Sequence, residues 1–210
     1  PANDEVEIAV GATGLNFRDL MWTLALLPDD MLEDGFTGPA LGLECAGEVL
    51  KVGAGVTHVA PGDRVMALAA SAFSTHVTVP ASRVAKIPDG MSLEGAATIP
   101  VAFLTAYYSL VRLARLREGE TVLIHGGAGA VGMAAIQIAR RCGARIIATA
   151  GSPAKRSLIA ALGADIVLDS RSSAFAAEVA AATCGGVDVV LNSLAGQALE
   201  MSIGCLRPFG

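Results

Sequence analysis

The hydropathy rhythm of the chain changes near Ser92. Before it, apolar residues come in short, partly alternating runs: "VEIAV" (6–10), "CAGEVLKVG" (45–53), "DRVMAL" (63–68), "STHVTVP" (74–80) and "RVAKIP" (83–88). Gly, Pro and Asp separate the runs, so each reads as a β-strand bounded by turns. Short strands at this spacing predict a small barrel or sandwich. Residues 18–27 read as the one helix of this half, and "PDDMLEDGFTGP" (28–39) as a loop.

After Ser92 the apolar spacing becomes helical over 92–116, with an interruption at Pro100. Ser92 suits an N-cap and Glu94 the first turn. Strands and helices then alternate. The strands are "TVLIHG" (121–126), "ARIIATA" (144–150), "DIVLD" (165–169) and "DVVLNSL" (188–194). The helices are "AVGMAAIQIARRCG" (130–143), "SPAKRSLIAALG" (152–163), "SAFAAEVAAATCG" (173–185) and "GQALEMSIGCL" (196–206). A repeating βα pattern predicts a parallel sheet covered by helices on both faces. The expected division is a β-rich domain over 1–95 and an α/β domain over 96–210.

Composition narrows the function classes. Of 210 residues, 53% are hydrophobic and 17% charged, a globular composition. The net charge is −5 with no basic tract, which argues against nucleic acid as a partner. No apolar run approaches the roughly 18 residues of a membrane span, so no membrane role is expected. The acidic start "PANDEVEIAV" is not a signal peptide. Cys45, Cys142, Cys184 and Cys205 are scattered without a CxxC pair, the pattern of reduced thiols in the cytoplasm. Both ends read as cut, so the chain is expected to be a piece of a longer one.

The stretch "HGGAGAVGMAAIQIA" (125–139) follows an apolar strand and opens a helix. It holds Gly127-x-Gly129-x-x-Gly132, the spacing of a dinucleotide-binding turn. Gly126, Gly127, Ala128, Gly129, Ala130, Val131 and Gly132 form the expected pyrophosphate cradle. The first two glycines of the motif permit a tight turn and close approach, and the third permits helix–strand packing. NAD binders place an acid about 20 residues on, at the end of the second strand. Here that strand runs into "ATAGSPAKR", which has no acid at the tip. Ser152, Lys155 and Arg156, with Arg171 further on, suit a 2′-phosphate, so the expected cofactor is NADPH.

These residues resemble the medium-chain dehydrogenase/reductase superfamily, and within it the enoyl reductase domains of modular polyketide and fatty acid synthases. The stretches "GLNFRDLM", "LGLECAGEVLKVGAGVTHVAPGDRV", "AATIPVAFLTAYYSL", "HGGAGAVGMAAIQIAR" and "DVVLNSLAG" carry the resemblance in family order through nearly the whole chain. It implies a GroES-like, barrel-type substrate domain followed by an incomplete Rossmann sheet, doubly wound and parallel. The implied strand order is 3-2-1-4-5-6. Strands 5 and 6 would lie beyond Gly210, leaving the strand at 188–192 as an exposed edge and the piece marginally stable or prone to associate.

The resemblance also implies partners and chemistry. The substrate would be a trans-2-enoyl thioester on an acyl carrier protein, with neighbouring synthase domains in the same polypeptide. Zinc-dependent relatives supply a zinc-binding His in a "GHE" motif. Here the position reads Gly42-Leu43-Glu44, and no four-cysteine lobe follows, so no metal site is expected. His58, His76 and His125 have no partner spacing and read as surface or packing residues.

Asn16, Phe17 and Asp19 fall where the family lines its nicotinamide pocket, with Asn16 placed to bond substrate or ribose. Thr105, Asn192 and Ser193 are further expected cofactor contacts. A family tyrosine before the loop proline is absent, since the chain reads Leu26-Leu27-Pro28. On an α-methylated substrate that absence goes with the non-tyrosine configuration. A second family donor pair, Lys and Asp, is half present: Lys155 fits, and Ala174 stands where the Asp would be. Lys155 thus has two candidate roles, 2′-phosphate contact and proton donation, with the phosphate role favoured. Asn16, Asp19 and Lys155 are the candidate catalytic residues. Two other readings are a free-standing, zinc-independent NADPH:quinone oxidoreductase and a non-catalytic structural domain of a megasynthase.

Overall fold

The computed structural model describes residues 1–27, 38, 40–172, 174–208 and 210. The loop expected over 28–39, Gly38 apart, and Ser173 at the start of an expected helix lie outside them. The chain forms two compact units, Pro1–Val101 and Ala102–Gly210.

The first unit is built on five antiparallel strands: β1 (Glu5–Thr13), β2 (Glu44–Val52), β3 (Arg64–Leu68), β4 (His76–Pro80) and β5 (Val84–Lys86). They pair in the order β4-β1-β2-β3-β5. Alternation decides which side chains go inside: Val6 and Ile8 of β1, Val65 and Ala67 of β3, and Val77 and Val79 of β4 join one core. The first half of β2 is buried on both faces, because helix α2 (Leu93–Ala96) covers its other side through Ala46, Ala96 and Ala97. Gly47 is needed there, since a Cβ would overlap the Ala9 carbonyl oxygen. Helix α1 (Phe17–Thr23) is shorter than the expected 18–27, ending where Ala25 takes a left-handed φ of 53°.

The expected long helix over 92–116 is three segments. α2 stops at Ala96, α3 runs Pro100–Tyr107, and a π-helix continues over Tyr108–Leu113. Pro100 opens α3, where a missing N–H is harmless. The stretch Leu93–Leu113, of mean hydropathy 1.3, is long and apolar enough by length and composition to cross a membrane. It is not an unbroken apolar run, because Glu94, Arg112 and the break between α2 and α3 interrupt it. Ala102, Ala106 and Leu110 of this stretch are buried in the second unit's core.

The second unit alternates β6 (Thr121–Ile124), α4 (Ala130–Arg141), β7 (Arg145–Ala150), α5 (Pro153–Leu162), β8 (Ile166–Asp169), α6 (Phe175–Ala182), β9 (Val189–Leu191) and α7 (Gln197–Ile203). The strands are parallel in the order β8-β7-β6-β9. Alternate residues of one strand serve opposite layers. Val122, Ile124, Ile146 and Ala148 pack with Ala135 and Ile159 on one face, while Leu123 and Ile147 pack with Phe175 and Val179 on the other. This is why β6 and β7 read as continuous apolar runs.

β9 is an edge strand, but its start is not bare. Val187 N–H donates to the Cys205 carbonyl at 2.9 Å, and Arg207 N–H to the Val187 carbonyl at 3.0 Å, a parallel bridge from residues that follow α7. The Arg207 guanidinium also pairs with the Asp188 carboxylate.

Candidate functional site

β6 ends at the glycine turn. Gly126 takes a φ of 62°, Gly127 N–H donates to the Thr149 carbonyl at 2.8 Å, and Gly129 N–H to the Gly126 carbonyl at 2.8 Å. Gly129 is the N-cap of α4, and no side chain caps that end. The N–H groups of Ala130, Val131 and Gly132 are those a helix leaves unpaired at its start, where its dipole is positive. Side chains are shut out of the turn's packing. A Cβ on Gly132 would stand 2.7 Å from Gly127 Cα, and one on Gly127 would stand 3.2 Å from the Ala148 Cβ. Ala128 packs against the core beneath. Unpaired donors above close-packed backbone fit a pyrophosphate.

Ser193 belongs to this turn: its Oγ lies 3.3 Å from where a Gly126 Cβ would stand. Asn192 is engaged locally, with Nδ2 donating to the Leu194 carbonyl at 2.8 Å and Oδ1 accepting from Leu194 N–H at 3.2 Å. Thr105 is exposed on α3.

At the tip of β7, Ser152 caps α5 by accepting from Lys155 N–H at 3.3 Å. The Arg171 side chain lies over Gly151, with Nε 3.3 Å from where a Cβ would be. An acid nearby, Asp169, is paired with Arg156 at 2.8 Å, and Arg156 also donates to the Ala150 carbonyl at 3.2 Å. Among the described residues Lys155 and Arg171 form no ion pair and are exposed, whereas Arg156 is committed to the scaffold.

His125, expected to be a surface or packing residue, is buried behind the turn in a polar relay. Ser202 Oγ donates to the Ala198 carbonyl at 2.7 Å, so it accepts from His125 Nε2 at 3.0 Å. Nδ1 then accepts from Thr149 Oγ1 at 3.3 Å, and Thr149 Oγ1 accepts from Gly126 N–H at 3.4 Å. The network assigns the neutral Nε2–H tautomer. Phe175 meets the ring edge-on, with centroids 5.1 Å apart. Burial lowers the His125 pKa below its ordinary value of 6.5. The unfolded chain therefore binds the proton more readily. The stability contributed is complete above about pH 6.5 and is lost as pH falls through the folded-state pKa. Denaturant unfolding between pH 7.5 and 5 is expected to show a loss of stability that His125→Gln lacks. Parallel profiles for the two proteins would refute this.

In the first unit the "NFRD" motif divides its labour. Arg18 donates to the Gly38 carbonyl at 2.7 Å and the Ala40 carbonyl at 3.2 Å. Asp19, 4% exposed, accepts from Asn16 N–H at 3.0 Å and from Gly42 N–H at 2.8 Å. Both Asp19 oxygens thus serve backbone. Phe17 is 73% exposed. Asn16 and Phe17 line an apolar pocket of about 430 Å³ with Leu15, Asp19, Leu20, Thr23 and Phe73. Behind Asn16 sits Glu44, 3% exposed, which the motif alone did not single out. Burial raises its pKa, the Val101 N–H and the Asn16 side chain pull it back, and the nearby Asp19 charge raises it. A lone acid inside the apolar run "LGLECAG" is the signal that could have found it.

The described residues do not fit a metal centre. Among the described residues no three His, Cys, Asp or Glu side chains gather to hold an ion. His58 Nε2 lies 3.3 Å from the Val84 carbonyl oxygen, His76 contacts Thr75, and His125 is bonded as above.

Two sequence-family profiles match the chain: the alcohol dehydrogenase GroES-like domain over residues 2–89 and the zinc-binding dehydrogenase over residues 130–210. A phenolphthiocerol/phthiocerol polyketide synthase of Mycobacterium tuberculosis is 47% identical over 211 aligned positions, covering 100% of this chain and 10% of that protein. The crystal structure of CurK enoyl reductase matches with a TM-score of 0.93 at 43% identity, covering 99% of this chain and 64% of that one. Escherichia coli quinone oxidoreductase, solved in complex with NADPH, matches at 0.83 and 34% identity, covering 99% of this chain and 63% of that one. The chain belongs to the medium-chain dehydrogenase/reductase superfamily, in its branch of polyketide synthase enoyl reductase domains. It spans a tenth of the length of the curated synthase and about two thirds of the solved reductases. The zinc in the profile's description has no ligand set among the described residues.

Proposed function

We propose that the protein reduces the α,β double bond of a trans-2-enoyl thioester with NADPH, the thioester being carried on an acyl carrier protein of the same synthase. The observation that carries this reading is the match to CurK enoyl reductase over 99% of the chain, against the weaker match to a quinone oxidoreductase. The cofactor assignment rests on the uncapped turn at Gly126–Gly132 and on the acid-free tip of β7 with Ser152, Lys155 and Arg171 around it. A soluble, cytoplasmic synthase with neighbouring catalytic domains is part of the same reading, and the much longer polyketide synthase relative supports the neighbouring domains.

When bound, NADPH supplies the hydride that adds to Cβ. The C=C pair then moves onto the thioester as an enolate, and a proton closes the reaction at Cα. The chain's own residues have four tasks. The N–H groups of Ala130, Val131 and Gly132 hold the pyrophosphate, with Ser193 beside them. Ser152, Lys155 and Arg171 hold the 2′-phosphate by charge-assisted bonds. Asn16 contributes a polar side chain to the apolar pocket, and Arg18 and Asp19 fasten the segment that carries it. Lys155 is the remaining candidate for proton delivery, with solvent water the alternative.

The test is direct. Full-length protein is titrated with NADPH and NADH, then assayed with a crotonyl thioester and with a quinone. NADPH is expected to bind at least about 10-fold tighter than NADH, and the thioester to be the better substrate. Preference for the quinone would move the protein to the oxidoreductase reading, and failure to bind NADPH would end both.

A further inference from the structure

The Asn16 carboxamide has a donor edge and an acceptor edge; its oxygen faces the Asp19 N–H in the capping box that opens α1, and its NH2 edge faces Glu44. Glu44 accepts twice: Oε1 from Asn16 Nδ2 at 2.9 Å and Oε2 from Val101 N–H at 2.8 Å. A carboxylate has no hydrogen to give, so it can face only the amide's NH2 edge. Glu44 itself is walled in. A Cβ on neighbouring Gly14 would overlap the Glu44 carboxyl and the Ala97 carbonyl oxygen, so that space belongs to the carboxylate.

We propose that Glu44 is a positioning residue that sets the polarity of Asn16, so that the amide oxygen, which also closes the α1 capping box with Asp19 N–H, has its remaining lone pair for the pocket's ligand. The group recognised is then a hydrogen-bond donor, a hydroxyl or an amide N–H, on the cofactor or on the carrier arm of the thioester. The acceptor edge is unsuited to a developing oxyanion, which removes Asn16's oxygen from that task. This inference rests on the enoyl reductase reading for its functional consequence. The hydrogen-bond polarity does not depend on it.

A polarity swap tests it in the full-length protein. Glu44→Gln keeps an oxygen for Val101 N–H but turns an NH2 group toward Asn16, whose amide must rotate and present its donor edge. Asn16→Asp sets two carboxylates against each other. Asn16→Asp with Glu44→Gln restores one donor–acceptor bond and leaves an acceptor facing the pocket.

Each single variant is expected to lose about 10- to 100-fold in kcat/KM for crotonyl thioester. The double variant is expected to recover to within several-fold of wild type, a non-additive gain. Its melting temperature, without cofactor, should likewise exceed that of Asn16→Asp alone. NADPH titration locates the donor. A swap-dependent Kd places it on the cofactor, and a constant Kd with a swap-dependent thioester KM places it on the carrier arm.

Wild-type activity of Glu44→Gln, or a double variant as poor as the worse single, overturns the proposal. Should the double variant not fold, Glu44→Gln is combined with Asn16→Ala. No further loss beyond Asn16→Ala is expected, and a further loss as large as in wild type overturns it. If wild-type protein leaves the thioester unreduced, the enoyl reductase reading fails. The cofactor-free melting comparison still decides the polarity claim.

Discussion

Gly132→Val is expected to abolish NADPH binding and to lower stability by about 2–4 kcal/mol. Gly132 sits in the first turn of α4, where the helix passes directly over the glycine turn. A Cβ there would overlap the Gly126 carbonyl oxygen and stand 2.7 Å from Gly127 Cα and 2.8 Å from its carbonyl carbon. All three obstacles are backbone atoms, so no rotamer change relieves the clash. The helix must lift away from the strand or the turn must open. Either movement separates the N–H groups of residues 130–132 from the position a pyrophosphate needs. Gly129→Ala is the milder control, because its Cβ would meet only the Gly126 carbonyl oxygen, at 3.3 Å. Fluorescence titration with NADPH and a thermal melt measure both effects. A valine variant that binds within about 10-fold of wild type would show that the turn is not the cradle.

The second large effect is on cofactor choice. Replacing Lys155 and Arg171 together with Ala is expected to weaken NADPH by about 100-fold or more while leaving NADH within a few-fold. Each removes one charge-assisted contact of about 1.5–3 kcal/mol. Arg156 is the internal control for this argument. It lies beside Lys155 in sequence, yet its guanidinium is spent on Asp169 and the Ala150 carbonyl. Losing Arg156 would expose the Asp169 carboxylate next to the phosphate position, an indirect penalty that also destabilises the fold. Lys155→Ala alone separates the two roles of that lysine. A raised KM for NADPH with kcat kept assigns it to the phosphate, and a lost kcat with unchanged NADPH affinity assigns it to proton delivery.

Much of this architecture was legible because its signals are local. The βα alternation, the glycine spacing at 126–132 and the Ser152-Pro153 helix start each depend on residues a few positions apart. The resemblance to enoyl reductases rested on such contiguous stretches too, and the comparisons agree with it. Element ends were less legible. The α1 helix ends at Thr23, and a π-helix replaces the α-helix expected after Tyr107. The three segments between Leu93 and Leu113 follow from proline chemistry at Pro100, from packing of Ala96 and Ala97 with Ala46, and from burial of Ala102, Ala106 and Leu110 in the second unit's core, which periodicity alone does not encode.

The sequence by itself determined the glycine spacing at 126–132, between an apolar strand and a helix, and the absence of an acid in the stretch that ends β7. These are statements about residue type at fixed local spacing. Tertiary structure alone decided which polar groups are committed. It spends Arg156 on Asp169 and, among the described residues, leaves Lys155 and Arg171 without ion-pair partners. It turns Asp19 to backbone amides, binds His125 to Thr149 and Ser202, and sets Glu44 behind Asn16. Most of these pairings join residues distant in sequence or depend on burial. A buried polar group must find its partner wherever the fold brings one, so its role becomes visible only when the chain has closed around it.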